Sequence, residues 1–393
     1  MSEGSVRDVR LLSTGECVRL EFAGTRIRSV LPIHRPVDPF TLPLAAPGLF
    51  DLQVNGYAGI WFSSTELTIS QVQQVLHSYA RQGLTGCLPT LITNSAEALE
   101  HGLTVLRQAR AACDLCRRMI VGIHVEGPWI SSLDGPRGAH PLAHVRPCTL
   151  AEYHCWQRAS GGLVRLITVA PECPGVLSVL PQIAADGVCV AIGHSSASAQ
   201  QIHEAAAKGA RLSTHLGNGC AGMVPRHDNV FWPQLADDLL TASVIADGWH
   251  LPTDLLNCIY RCKSASRVVL TSDVSGFGGC PPGRYTTAAV DVEVLDDGRI
   301  VVAGQRQFLA GSGASTIDCL QQFHRSTGVP LQQTWDLASR NPRQLLGLPC
   351  PEIAEGAVAS LTLFHATTAD NVLTLQPVAA IIQGQTIVAD QGD

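Results

Sequence analysis

The chain has 393 residues, 46% of them hydrophobic and only 15% charged, which is enough apolar mass for a large core and more than one ordinary domain. A formal net charge of -6 without any long basic run excludes nucleic acid as an expected partner, and no apolar run reaches membrane-spanning length. The 14 cysteines are scattered rather than framed as disulfides, so a reduced, cytoplasmic protein is expected. Cys113 and Cys116 have C-x-x-C spacing, but no second pair follows to make a zinc or redox site. The opening Met-Ser-Glu-Gly-Ser carries no targeting pattern.

Residues 1–46 alternate apolar and polar positions, as in Cys17-Val-Arg-Leu-Glu-Phe22, and predict half-exposed antiparallel strands ending in a Pro-rich connector. Pro47-Gly-Leu-Phe-Asp-Leu-Gln-Val-Asn-Gly56 then reads as a first buried strand and its exit turn. Helical spacing over 68–82 is followed by a strand at 83–93, a helix at 96–113 and a strand at 119–127. Further buried strands are predicted at 163–170, 188–193, 210–215, 240–248 and 267–273. A helix over 197–208 has Ser195 and Ser196 as cap candidates. Eight βα units in about 230 residues predict a (β/α)8 barrel. A doubly wound open sheet is the alternative, disfavoured because no glycine-rich dinucleotide turn follows the first strand.

Beyond Asp273, residues 285–308 alternate strongly around Asp296-Asp-Gly298 and predict an inserted hairpin over the barrel mouth, spanning about 276–311. Helical spacing returns at 315–328 and 331–346, and 358–390 alternates again. The expected division is therefore a small β-sandwich from residues 1–46 and 350–393, with a catalytic barrel over 47–349.

A barrel's chemistry sits at the carboxyl ends of its strands. Those ends carry Gln53, Asn55, Glu126, His194, His215, Asp247 and Asp273. Glu126, His194 and His215 supply one carboxylate and two imidazoles, a set suited to a divalent metal with an open position. His124 points the same way as Glu126 but lies deeper, and is read as support for the ligands rather than as one of them. Trp61 and Phe62 are read as packing residues, with a substrate wall as a second role.

In chain order, Pro47 to Gly56, His124-Val-Glu-Gly-Pro128, Gly138-Ala-His140, Gly193-His-Ser195, Thr214-His-Leu-x-Asn218, Ala246-Asp-Gly-x-His250, Ser272-Asp273 and Asn341-Pro342 with Gly347 resemble the N-acetylglucosamine-6-phosphate deacetylase family of the amidohydrolase superfamily. The resemblance implies removal of the acetyl group from an N-acetylated amino-sugar 6-phosphate. By motif position it implies Glu126, His194 and His215 as metal ligands and Asp273 as the catalytic carboxylate. Ala139, His140, Asn218, Gly219, Arg226, Asp247, Gly248, Trp249, His250, Leu309, Ala310 and Gly311 match substrate contacts. In that family the counterparts of Arg226 and His250 reach the phosphate from a neighbouring subunit, so a homodimer is implied. His227, beside Arg226, is read equally as an anion contact or as a solvated loop residue.

The chemistry agrees. Amide hydrolysis needs a nucleophile, stabilisation of the carbonyl oxygen and a proton for the leaving amine. A metal lowers the pKa of bound water to about 7. Asp273 beside that water can take its proton and pass it to nitrogen, and His140 can donate to the oxyanion. Neutral Gln53 and Asn55, where a two-metal amidohydrolase resembles His-x-His, predict one divalent metal per chain, expected to be zinc. Gly217-Asn-Gly-Cys220, Pro225-Arg-His-Asp-Asn229 and Ser272-Asp-Val274 depart from the family pattern. N-acetylgalactosamine 6-phosphate, an unphosphorylated amino sugar or an N-acyl amino acid therefore stays open as substrate. A catalytically dead barrel serving as a binding module is a third reading, opposed by Glu126, His194, His215 and Asp273 all being present.

Overall fold

In the computed structural model, residues 5–34, 38–286, 291–369 and 372–389 are described. The opening run 1–4, residues 35–37 beside the connector, residues 287–290 of the alternating insert, residues 370–371 of the last alternating stretch and the residues from 390 onward lie outside them.

Eight strands, Leu49–Val54, Leu84–Ile92, Ile123–Glu126, Val164–Val169, Cys189–Ile192, Ala210–Ser213, Thr241–Ile245 and Val268–Thr271, pair side by side in chain order. Every described pairing between neighbours is parallel. The ring closes where Asn55 N–H donates to the Val274 carbonyl at 2.8 Å and Val54 bridges Val274 in parallel. This is the predicted (β/α)8 barrel. Its strands are apolar on both faces because one face fills the barrel and the other packs on helices. Phe50, Leu52, Leu88, Leu166, Ala191, Leu212 and Val269 form one buried plug in the interior.

The helices Ile69–Arg81, Ala96–Ala112, Leu150–Ser160, Val176–Ala185, Ala199–Ala207, Phe231–Ala236, Thr253–Lys263 and Thr316–Thr327 follow the eight strands in turn. Sequence and cap chemistry agree at their starts. Thr68, Ser198 and Ser315 each form a reciprocal capping box with the residue three positions on. The cap of the fifth helix, Ala199–Ala207, is thus Ser198, not the expected Ser195 or Ser196. Those two hydroxyls are committed to Glu172: Ser195 Oγ donates to one carboxyl oxygen at 2.7 Å and Ser196 Oγ to the other at 3.1 Å.

Among its described residues the insert holds four short antiparallel strands rather than a single hairpin: Gly283–Tyr285, Val292–Val294, Ile300–Val302 and Gln305–Leu309. The expected turn falls between Val294 and Ile300, closed by Leu295 N–H on the Arg299 carbonyl. Phe277, Val292, Val294 and Ile300 give the insert its own small core, against which Trp61 packs.

The two ends of the chain build one seven-stranded sheet. Its strands are Val6–Leu11, Cys17–Ala23, Arg26–Pro32, Leu44–Pro47, Leu361–Ala369, Val372–Ile382 and Gln385–Val388. The sheet folds over on itself, with Ile27 N–H on the Ala357 carbonyl and Ala359 N–H on the Thr25 carbonyl. Val9, Leu20, Phe22, Ile27, Leu361 and Ile381 share the enclosed core, which gives the expected sandwich. Thr362 fastens it to the barrel: its hydroxyl donates to the Gly83 carbonyl at 2.7 Å and accepts from Leu49 N–H at 3.2 Å.

Candidate metal and catalytic site

Three strand ends leave the barrel through left-handed backbone at a chemically active residue. His194, His215 and Asp273 have φ of 50, 30 and 48°. Non-glycine residues enter that region seldom, and such strain gathers at functional sites. The sharp exit turns each side chain back over the barrel mouth.

His215 Nε2 lies 3.0 Å from Glu126 Oε1, His194 Nε2 lies 3.2 Å from the same oxygen, and the two imidazole nitrogens are 3.1 Å apart. All three residues are buried. His140 joins from the loop after the third strand, its Nε2 3.2 Å from His194 Nε2. Glu126, His140 and His194 have ligand atoms within 4.8 Å of one another and could hold a metal ion.

Proton placement separates the ligand-like nitrogens from the donor. His194 Nδ1 lies 3.0 Å from the Pro136 carbonyl, which can only accept, so Nδ1 carries the proton and Nε2 presents a lone pair to the cluster. His140 Nδ1 faces the Thr93 hydroxyl at 2.8 Å and the Thr93 N–H at 3.4 Å. The backbone N–H can only donate, so Nδ1 accepts and His140 Nε2 holds a hydrogen pointed at the cluster. Burial, aided by His194, pushes His140 down to about 3, which keeps it neutral. His215 Nδ1 is buried without a hydrogen-bond partner among the described residues. One carboxyl oxygen and two imidazole nitrogens at these separations match ligand atoms around an ion with bonds of about 2.0–2.2 Å.

The neutral amides face the carboxyl groups. Gln53 Nε2 donates to Glu126 Oε1 at 2.9 Å, and Asn55 Nδ2 donates to Asp273 Oδ1 at 2.7 Å. Burial would raise the Glu126 carboxyl, but the closely facing imidazoles of His194 and His215 hold it well below the usual range. Asp273 behaves oppositely: burial, then the charge of Glu126, pushes it up to about 7. His124 stands below, between Thr168 Oγ1 at 2.8 Å and Thr90 Oγ1 at 3.3 Å. Burial takes it down to about 4 and leaves it a neutral interior residue.

Several of the other predicted site residues hold the turns and loops near this centre. Asp247 Oδ1 accepts the N–H groups of Trp249 and His250, and its Oδ2 lies 2.6 Å from His250 Nδ1. The carboxyl group thus shapes the turn through Gly248 and aims the His250 ring. Asn218 Nδ2 donates to the His215 carbonyl at 3.2 Å. Gly219 lies against His194, where an added Cβ would sit 2.8 Å from Nδ1. Ala139, His140 and Ala310 line one cavity beside Trp61, and Asp247, Trp249, Leu309 and Gly311 line a second. Phe62 is fully buried packing. Arg226 and His227 are exposed, and among the described residues no hydrogen bond or ion pair joins their side chains to the cluster.

Two supporting residues escape sequence reasoning. Asp51, wholly buried, accepts from Thr271 Oγ1, Ser272 N–H, Thr316 Oγ1 and Gln53 N–H at 2.5, 2.9, 2.7 and 3.1 Å. It ties the first strand to the last beside both Gln53 and Asp273. Glu172 holds the turn after His194 through Ser195 and Ser196. A lone acidic residue inside the apolar Leu49-Phe-Asp-Leu52 was the one available signal for the first; the second has none.

A (β/α)8 barrel with a carboxyl group and imidazoles converging at the carboxyl-end mouth, and a second carboxyl group across from them, defines a metal-dependent barrel hydrolase of the amidohydrolase type. No family model matches the sequence. N-acetylglucosamine-6-phosphate deacetylase from Bos taurus is 33% identical over 316 residues, covering 78% of this chain and 75% of that protein. An N-acetylgalactosamine-6-phosphate deacetylase from a Shewanella strain is 29% identical over 79% of this chain and 77% of that one. The crystal structure of the Mycobacterium smegmatis N-acetyl-D-glucosamine-6-phosphate deacetylase superposes with a TM-score of 0.84 at 27% identity, covering 98% of this chain and 100% of that one. The chain belongs to the N-acetylglucosamine-6-phosphate deacetylase family.

Among the described residues no helix is long and apolar enough to cross a membrane, and all 14 cysteines are free thiols, with Cys116 buried.

Proposed function

We propose that the protein hydrolyses the acetamide of N-acetylglucosamine 6-phosphate to glucosamine 6-phosphate and acetate, working as a homodimer in the cytoplasm. The observation that carries this is the triangle of Glu126 Oε1, His194 Nε2 and His215 Nε2, with edges of 3.0 to 3.2 Å, in a chain one third identical to deacetylases of that name. These three residues would hold one divalent metal, zinc by their donor set. When bound, such an ion polarises a carbonyl and acidifies water. His140 donates its Nε2 hydrogen to the amide oxygen as charge develops there. Asp273, its pKa pushed up to about 7 by burial, takes as the carboxylate a proton from the attacking water and delivers it to the departing nitrogen. Asn55 orients the Asp273 carboxyl group, and Gln53 orients Glu126. The barrel of residues 47–349 carries this chemistry, and the terminal segments 1–46 and 350–393 brace it.

Asn218, Gly219, Gly248, Trp249, Leu309 and Gly311 shape the sugar site, Ala139 and Ala310 line the substrate cavity beside His140, and Asp247 aims His250. Arg226, exposed on its own chain, supplies the phosphate contact across the dimer. The galactosamine epimer is the second reading, favoured by the 29% identity to a deacetylase of that sugar. Acetate release from N-acetylglucosamine, its 6-phosphate and N-acetylgalactosamine 6-phosphate, measured with zinc-loaded protein, separates these readings. Preference for the unphosphorylated sugar would remove Arg226 and His250 from the site.

A further inference from the structure

The carbonyl carbon of an amide carries two substituents, and the barrel mouth offers two unlike places for them. On the side of strands five to seven lie Asn218, Asp247 and His250, suited to hydroxyl groups and phosphate. On the other side, immediately past His140, lies a cavity of about 650 Å³ with mainly apolar walls. Trp61, Ile92, Pro141, Phe277, Val292 and Ala310 make those walls. They come from the loops after strands one and three, the end of strand two and the insert.

These walls are built features. The Trp61 indole meets Phe277 edge-on at 5.5 Å. It also lies against Gly276, where an added Cβ would come within 2.3 Å of its Nε1. The insert therefore closes down on the indole and holds it as a fixed surface. His140 is shared between this cavity and the cluster, its Nε2 hydrogen facing the His194 and Glu126 side. A carbonyl accepting that hydrogen would have one substituent turned toward the His140 ring and the apolar walls beyond it. A polar sugar phosphate suits the other side. The acetyl methyl, about the size of a water molecule with its share of roughly 30 Å³, fills only a small part of this space.

We propose that this cavity is an acyl pocket and that the enzyme removes acyl groups longer than acetyl, namely unbranched chains such as propionyl and butyryl, from amino-sugar 6-phosphates. This rests on the deacylase reading above and specifies its substrate class. The reaction is unchanged in kind. Water adds its oxygen to the carbonyl carbon, the C–N bond breaks, nitrogen takes the proton, and a fatty carboxylate and the amino sugar phosphate leave. Each added methylene buried against Trp61 and Ile92 raises kcat/KM by up to about fourfold, the worth of one CH₂ removed from water.

The test compares N-acetyl-, N-propionyl- and N-butyrylglucosamine 6-phosphate on the zinc-loaded wild type and on Ile92→Phe and Val292→Phe, which narrow the cavity from the barrel side and from the insert side. The expected wild-type kcat/KM for butyryl is no lower than for acetyl. At least one variant is expected to lose tenfold or more on butyryl while keeping acetyl within about twofold. Calorimetric titration of the Asp273→Asn protein is expected to rank the Kd values in the same order. A butyryl kcat/KM below that of acetyl, or equal losses on both chains in both folded variants, overturns the pocket while leaving the deacetylase reading intact. Butyryl turnover without acetyl turnover would instead keep the pocket and correct the proposed substrate. No turnover of any member would sink both.

Discussion

The side-chain amide of Gln53 donates to Glu126 Oε1 at 2.9 Å, the same oxygen that faces both His194 and His215. An amide nitrogen has no lone pair for a cation, so Gln53 orients the carboxyl group and does not add a ligand. Gln53→Ala is expected to weaken metal binding by about 10–100-fold, the usual cost of removing a ligand's supporting hydrogen bond. Chelator competition measures this directly. Metal analysis of the wild type should return one equivalent per chain, and two equivalents in active protein would defeat the assignment.

Asp273→Asn keeps the hydrogen-bonding shape of the side chain but removes its capacity to take a proton. Its kcat is expected to fall by about 10²–10⁴-fold, the range for general acid–base groups. Metal content should be unchanged, since Asp273 is not among the three donors. Hydrolysis at the wild-type rate would overturn its role.

Asp51 receives four hydrogen bonds in a fully buried setting. Asp51→Ala strands the donors of Thr271, Ser272 and Thr316 in the interior, at about 1–3 kcal/mol for each group left unsatisfied. A loss of at least about 3 kcal/mol in urea unfolding is expected, with kcat falling as Asp273 loses its fixed position. Asp51→Asn keeps the acceptor oxygen for some of these bonds and should recover part of the stability.

Lys263 is buried at the end of its helix, with Nζ donating to the Asp237 carbonyl at 2.7 Å. Burial, then Arg267, lowers its ammonium to about 8 from an ordinary 10.5. Between those two values the unfolded chain binds the proton that the folded chain has released, so this residue makes stability rise with pH. Below about 8 both states hold the proton and the full penalty of burying the charge applies. Denaturant unfolding at pH 7.5 and 10 should show the wild type gaining on Lys263→Met. A constant gap between the two would refute the shift.

The barrel was legible because each strand is an apolar run stopped by a polar residue, as at Val190-Ala-Ile-Gly-His194, and local periodicity suffices to find it. The triangle of Glu126, His194 and His215 was legible for the same reason, since all three end strands. His140 stands on an irregular loop with no period to mark it, and only family likeness singled it out. Asp51 and Glu172 act through partners up to 265 positions away, which no local pattern encodes. Ser195 and Ser196 looked like helix caps because a hydroxyl before a helix usually is one; the Glu172 carboxyl group, invisible in the neighbouring sequence, claimed them first. The extra strands of the insert were hidden by their shortness, three residues each in Gly283–Tyr285, Val292–Val294 and Ile300–Val302.

The hydrogen bond from Leu49 to Thr362 joins residues 313 positions apart. During synthesis the amino-terminal strands emerge long before the partner that covers Leu44–Pro47, so that strand edge stays open while the whole barrel is being made. Completion of the native fold therefore waits on Leu361–Ala369 leaving the ribosome. A chain cut short before residue 361 would keep its catalytic side chains yet expose a bare sheet edge, and its fate would be association with other chains rather than catalysis.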